Sequence, residues 1–443
     1  MNAIDDLAIP PGSAVPPSPT ALADAAVPPR SWWLLAFLVA AHTCCWMDRY
    51  VIIILTEPMK QDLHLSDTQL GLISGFAFSL IYSLAALPIG RLVDHRPRRL
   101  ILSSVIAIFS AATMVASVVK GFVSLAASRL VVAAAEAGLG PAAYSLMSDS
   151  FPARWRGRAV SFYSLGLAFG TWAGLTLGGL LNDMVGWRTT FLIVGSPGLL
   201  LALVAFLWIR DPARGGFDDS AVEVQAFSFA QALRFMLGSR AFVASALALG
   251  LLTITTGAFE GWVPTYLIRN RDLTASTSGM LSGTLSGIGG TAATLVVGIL
   301  ADLLGRRDIR WYLWIPLIGV AIFIPCQLLF FHTSGFISYL LYFLAIVADA
   351  SYVAPLFALG QMLLPPRTRA LGAAMMLLAI NLIGMGGGMF GTGVISDLLH
   401  NAGSTDPLGV ALQLLQLGAV LGAGTLLYAS FWVKHDMDAI NAQ

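Results

Sequence analysis

The chain has 443 residues, 57% of them hydrophobic and 11% charged, with a mean hydropathy of +0.78 and a net charge of +1. Soluble domains carry about 25% charged residues, so this chain is solvated mostly by lipid, and its balanced charge gives no pull toward nucleic acid. Cys44, Cys45 and Cys326 all lie in apolar runs, which excludes a disulfide framework and a zinc-ligand spacing.

In chain order, residues 1–30 come first, rich in Pro and Ala and carrying Asp5, Asp6 and Asp24. They have no basic start followed by an apolar core, and they read as a disordered tail rather than a signal peptide. A spanning helix needs about 20 apolar residues. Twelve segments qualify: 32–56, 69–89, 99–119, 122–148, 158–181, 188–209, 241–268, 277–301, 311–331, 335–363, 369–395 and 408–432. Barrel strands would be shorter and alternating. The predicted fold is therefore an all-α membrane protein of twelve transmembrane helices. It divides into a six-helix bundle at 31–209, a loop at 210–240, a second bundle at 241–433 and a tail at 434–443.

The loops after segments 2, 4, 6, 8 and 10 collect arginines, among them Arg98, Arg99, Arg154, Arg214, Arg306 and Arg367. The opposite loops hold only Lys60, Lys120, Arg188, Arg269 and Arg271. The positive-inside rule then puts both termini in the cytoplasm. Arginine far outnumbers lysine, which points to a GC-rich bacterial genome and to a multi-pass protein of the inner (plasma) membrane.

The chain contains a repeat. "GRLVDHRPRR" (90–99) recurs as "GILADLLGRR" (298–307), "LGLISG" (70–75) as "SGMLSG" (278–283), and "FPARWR" (151–156) as "LPPRTR" (364–369). Asp183, closing segment 5, matches Asp397, closing segment 11. Two parallel copies of six helices are a transporter signature. The repeat sets Asp48 of segment 1 against Glu260 of segment 7, and Glu136 of segment 4 against Asp349 of segment 10. A charge at mid-membrane costs about 2.5–3.5 kcal/mol on insertion scales, so such groups face a bundle interior or a wet cavity. Arg49 adjoins Asp48, and Arg129 lies two turns before Glu136 on nearly the same helix face.

The duplicated "G-x3-D-x3-R-R" loop resembles the major facilitator superfamily. "DRYVI", "LSDTQLGLISGFAFSLIYSLAALPIGRLVDHRPRR", "RLVVAAAEAGLGPAAYSLMSDSFPARWRGRAVS" and "IRDPARGG" are similar to its Spinster-type transporters, most closely over 45–216. The resemblance implies two bundles around a cavity open alternately to either side and lined by helices 1, 4, 7 and 10, the helices that carry the four acids. It also implies a lysolipid or sphingolipid substrate, with Asp48, Arg49 and Glu136 at the positions of the family's acid–arginine pair and glutamate. Pro97 departs from the usual glycine of the first loop copy.

Burial favours a neutral carboxyl and a nearby guanidinium an ionised one, so Asp48 and Glu136 are candidate proton carriers; a fixed salt bridge is the alternative. Arg49 is a candidate anion ligand or the counter-ion of Asp48, Arg129 the counter-ion of Glu136, and Glu260 and Asp349 are substrate or counter-ion groups. The loops Gly90/Asp94/Arg98/Arg99 and Gly298/Asp302/Arg306/Arg307 are a candidate cytoplasmic gate, bridging the halves or only enforcing topology. Tyr82, Tyr144, Trp262 and Tyr266 are candidate cavity aromatics, or interface belts. Tyr163 has the same two readings, and His42 reads as a polar helix residue. Glycines four apart (Gly71/Gly75, Gly170/Gly174/Gly178, Gly279/Gly283/Gly287, Gly384/Gly388) predict close helix contacts where the halves slide. No metal cluster, phosphate-cradling loop or nucleophile elbow appears, so no enzyme is predicted and the coupling ion is the proton. The expected function is alternating-access, proton-coupled transport of an amphipathic or lipid-like organic anion by a monomer among membrane lipids. Symport of a small soluble organic acid and a transporter-shaped sensor without net flux are the competing readings.

Overall fold

A computed structural model describes residues 27–212, 229–365 and 368–441. Most of the 1–30 tail, part of the 210–240 loop, and Arg214 and Arg367 lie outside the described residues. The described chain is helical, and eleven runs are long and apolar enough to cross a membrane. They are Pro29–Ile54 (α1), Asp67–His95 (α2), Arg98–Val118 (α3), Phe122–Ser150 (α4), Ala153–Trp208, Arg240–Arg271, Ala275–Gly305, Trp311–His332, Gly335–Met362, Leu371–Asn401 and Pro407–Asp438. Gly186 breaks the 56-residue run Ala153–Trp208 with φ 78, a left-handed value open to glycine, so it is two helices, 153–185 (α5) and 187–208 (α6). The later six runs are then α7 to α12 in order, giving twelve helices of membrane-spanning length among the described residues.

α4 and α10 are each interrupted immediately after their acid. Helix stops at Glu136 and restarts at Leu139; it stops at Asp349 and restarts at Val353. Wider π-helical turns interrupt α2 at Leu72–Phe76, α8 at Gly283–Gly290 and α11 at Ala379–Gly386. Such turns gather at functional sites because they free backbone groups and offset the helix face.

The two halves meet through α2 with α11 and α5 with α8. The glycine stripes divide in a way the spacing does not reveal. Gly71 and Gly75 press on Met389 of α11, and Gly279, Gly283 and Gly287 press on Trp172, Leu175 and Thr176 of α5. Gly170, Gly174 and Gly178 instead pack on Trp46, Met47 and Val51 of α1, and Gly384 and Gly388 on Thr253 and Ile254 of α7, each within its own half. Small residues that α5 and α11 present across the halves include Gly179, against the Ala275 backbone, Gly393, against the Asp67 backbone, and Gly386, against Phe76 and Ser79.

Among the described residues, most hydrogen bonds between the halves gather at one end, and they repeat the internal symmetry. Ser66 caps α2 by accepting from Gln69 N–H at 3.1 Å, and Thr274 caps α8 by accepting from Thr277 N–H at 3.2 Å. Beside each cap an aspartate from the other half takes the free N–H groups. Asp397 of α11 accepts from Asp67 and Thr68 N–H (3.1 and 2.8 Å), and Asp183 of α5 accepts from Ser276 N–H (2.9 Å). A carboxylate at a helix N-terminus also meets the positive end of its dipole. Arg269 of α7 adds a third tie, donating to Glu57 of the short helix Thr56–Leu63 and to Asp67, at 2.7 to 3.0 Å. At the opposite end, where α2 and α8 finish, Gly90 and Gly298 have nothing within 4 Å of the position a Cβ would take. Among the described residues the halves are thus tied together at the end away from the duplicated loops, which is the sealed end.

Candidate functional site

Three consecutive residues of α1 each reach a different partner. Asp48 accepts from Arg129 of α4 at 2.9 Å and from the Thr113 hydroxyl of α3 at 2.5 Å. Arg49 donates from Nε to Glu136 of α4 at 2.6 Å. Tyr50 donates its hydroxyl to Glu260 of α7 at 3.0 Å, across the halves. The ion pairs are crossed relative to the sequence expectation of Arg49 with Asp48 and Arg129 with Glu136. Neighbours on a helix point about 100° apart, and a seven-residue spacing is about 10 Å of rise, so neither expected pair can close.

The two pairs differ in access. Asp48 and Arg129 are sealed in protein, at 2% and 1% exposure. Arg49 keeps 17% of its side chain exposed although it sits in the middle of the molecule, and its guanidinium lies over Tyr82 (4.5 Å), Trp46 (4.9 Å) and Phe78 (5.2 Å). One carboxylate oxygen of Glu136, Oε1, is buried with no hydrogen-bond partner among the described residues.

In the other half the acids have neutral partners. Glu260 takes the Tyr50 hydroxyl, and Asp349 takes the Thr256 hydroxyl at 2.6 Å. Of the aromatics, Tyr82 covers Arg49, and Tyr144 is half exposed beside Tyr163. Trp262 and Tyr266 are not on it: both are buried, Trp262 donating to the Met389 carbonyl at 2.9 Å and Tyr266 packed on Phe330 and Phe331. They lie at the sealed end, where α7 meets α9 and α11. His42 stacks on Tyr163 and bonds its carbonyl, a packed polar group as read from sequence.

Of the expected gate residues, Arg98 and Asp302 are engaged inside their own halves. Arg98 is buried and donates to Asp149, to Ser145 and to the Pro212 carbonyl. Asp302 accepts from Tyr312 at 3.1 Å, while Asp94, Arg306 and Arg307 are exposed. Arg98 therefore clamps α3 to α4 rather than reaching across. Tyr50 is the residue that sequence reasoning missed; its only signal is that it directly follows Asp48 and Arg49.

A family model described as Major Facilitator Superfamily matches residues 38–389. The chain belongs to the major facilitator superfamily. It is 30% identical to an MFS-type efflux pump of Mycolicibacterium smegmatis, over 94% of this chain and 96% of the relative. It is 26% identical to the Sphingosine-1-phosphate transporter SPNS2 of Danio rerio, over 89% of this chain and 82% of the relative. Its fold superimposes on the crystal structure of a bacterial homolog of the human lysosomal transporter Spinster, inward-facing and unoccupied. That match has a TM-score of 0.85 at 24% identity, covering 92% of this chain and 98% of that one. Within the superfamily the chain is Spinster-like, and both family and fold are those of a multi-pass membrane transporter rather than an enzyme.

Proposed function

We propose that this transporter is proton-coupled and exports an amphipathic, lipid-like organic anion across the inner membrane by alternating access, as a monomer with both termini cytoplasmic. The Arg49–Glu136 pair carries this reading. Arg49 is the partly exposed member, Glu136 the buried one, and the pair is cradled by aromatic rings. An anionic headgroup that takes the guanidinium leaves Glu136 without its counter-charge in a dry setting, where the neutral acid is favoured. Binding and protonation are thus linked through one side chain. Asp48–Arg129, locked behind it, holds α1 against α4 while that exchange occurs. In this orientation the sealed end faces the periplasm and the end with the duplicated loops the cytoplasm. The outward direction is supported by the efflux relative, and the lipid-like substrate by the sphingosine-1-phosphate transporter.

The test is flux in proteoliposomes with an imposed proton gradient, using a panel of lysolipids and small organic acids. Lysolipid movement linked to proton flux is expected, and Glu136→Gln is expected to abolish the coupled component. An unchanged coupled rate in Glu136→Gln would remove Glu136 from the mechanism. Movement of soluble acids alone would favour the symporter reading, and binding without any flux the sensor.

A further inference from the structure

The second half of the molecule holds a buried acid whose surroundings differ in kind from the ion pairs of the first. Asp349 ends the first segment of α10, at the break before Val353. Its Oδ1 is 2.6 Å from Thr256 Oγ1; that hydroxyl is 2.7 Å from Tyr352 Oη; Tyr352 Oη is 3.2 Å from Thr253 Oγ1; and Thr253 donates to the Leu249 carbonyl at 2.6 Å. Four oxygens therefore lead in a line from the carboxyl to a backbone carbonyl of α7. Beside it, a cavity of about 10 Å³ is lined by Asp349, Ser351 and Tyr352 with Leu252, Val320 and Phe323. The Ser351 hydroxyl on that wall is buried, its residue 5% exposed, and has no partner among the described residues. A space of that size admits about one water molecule.

The hydroxyls can serve either charge state of the acid. When Asp349 is ionised, Thr256 donates to Oδ1 and Tyr352 donates to Thr256 or Thr253. When Asp349 is protonated, its O–H donates to Thr256, Thr256 donates to Tyr352, Tyr352 to Thr253, and Thr253 to the Leu249 carbonyl. Each hydroxyl carries one hydrogen and can accept another, so the second arrangement is reached by rotation alone, with every donor satisfied. An arginine partner would favour only the ionised form; this relay bonds both forms, the ionised one more strongly, because a hydrogen bond to a charged group contributes more than a neutral one. The ionisable groups that face it are Glu260, one turn beyond Thr256 on α7 and held by Tyr50, and Tyr352 on its own helix. α9 contributes only Val320 and Phe323 to the cavity wall.

We propose that Asp349, with the Thr256–Tyr352–Thr253 relay and the adjoining cavity, is a second proton-binding site, independent of the Arg49–Glu136 pair. The bound proton sits on the carboxylate and is delivered through a water in the cavity. Its part in transport rests on the proton-coupled reading above, but the site itself is tested without substrate.

Infrared difference spectra of the purified full-length protein across a pH titration report protonated carboxyl groups by their carbonyl stretch. The site predicts a protonated-carboxyl component that vanishes in Asp349→Asn and persists in Glu136→Gln. Thr256→Val, which keeps the shape and removes the middle hydroxyl, is expected to move the midpoint of that component by roughly one pH unit, the effect of about one hydrogen bond. A spectrum of Asp349→Asn that superimposes on the wild type overturns the site, and an unmoved midpoint in Thr256→Val overturns the relay. Loss of the component when Na+ replaces choline at constant pH overturns it in favour of a sodium site. A normal component in a protein that shows no proton-linked flux leaves this site standing and rejects the coupling reading instead.

Discussion

At the residue scale, the molecule separates two tasks that look alike in sequence. Both Asp48 and Glu136 are carboxylates beside arginines, but Asp48–Arg129 is dry on both sides, and Arg49–Glu136 has one wet member. A buried pair is weak evidence for stability as a pair, yet removing one partner strands the other charge, at a cost of about 3–5 kcal/mol. Asp48→Ala is therefore expected to destabilise the protein by about that amount, read as a lowered thermal midpoint in detergent. Asp48→Leu combined with Arg129→Met, which removes both charges and keeps the volume, should recover most of the loss. A double variant as unstable as Asp48→Ala would show that the cost lies in packing and not in a stranded guanidinium. The positions of all four acids were legible in the sequence, because charge in an apolar run is conspicuous and the repeat aligns it. Their partners were not, because ion pairing across helices depends on the angle at which α1 and α4 face each other. Tyr50 and Thr256 were invisible for the same reason: a hydroxyl in a spanning helix raises no alarm until its neighbour is known.

At the element scale, glycine spacing predicted close contacts correctly but did not say with which helix. Gly170, Gly174 and Gly178 form the most regular stripe, yet they pack inside a half, and Gly179, one residue off that stripe, makes the crossing contact with Ala275. A helix has two faces to fill, and spacing alone cannot assign a neighbour to either. The contact at Gly179 is with backbone, which cannot rotate away. Gly179→Val is therefore expected to prop the sealed end apart and shift the protein toward the state open there. Distances between spin labels on the outer ends of α5 and α8 should lengthen. Gly90→Ala, placed where nothing lies within 4 Å, serves as the silent control in the same measurement. If Gly179→Val left the distances unchanged, the α5–α8 contact would not be what sets the closed end.

At the scale of the whole molecule, the seal is built twice by the same device, a cap from one half and an aspartate from the other. Asp183 and Asp397 were recognised as repeat mates in sequence, but a helix-closing aspartate does not announce that it will cap a helix of the opposite half. That role follows only once α5 lies along α8 and α11 along α2. The symmetry is incomplete. Asp397 accepts two N–H groups and Asp183 one, and Asp67, at the start of α2, also gathers Arg269, Lys60 and Ser396, whereas Ala275 holds its place at the start of α8. A hydrogen bond to a charged group contributes about 1.5–3 kcal/mol, and each 1.4 kcal/mol is about a tenfold change in an equilibrium constant. Asp183→Asn and Asp397→Asn should therefore both raise the population open at the sealed end, Asp397→Asn by roughly tenfold or more and Asp183→Asn by less. The two sites share no partner, so the double variant should show the sum of the two free-energy changes. Populations from spin-label distances across that end read the effect directly. Equal shifts would mean that the number of capped N–H groups does not set the strength of the seal. No shift in either variant would place the closing energy in the apolar contacts of α5 with α8 and α2 with α11, leaving the aspartates as passengers of a closure made elsewhere.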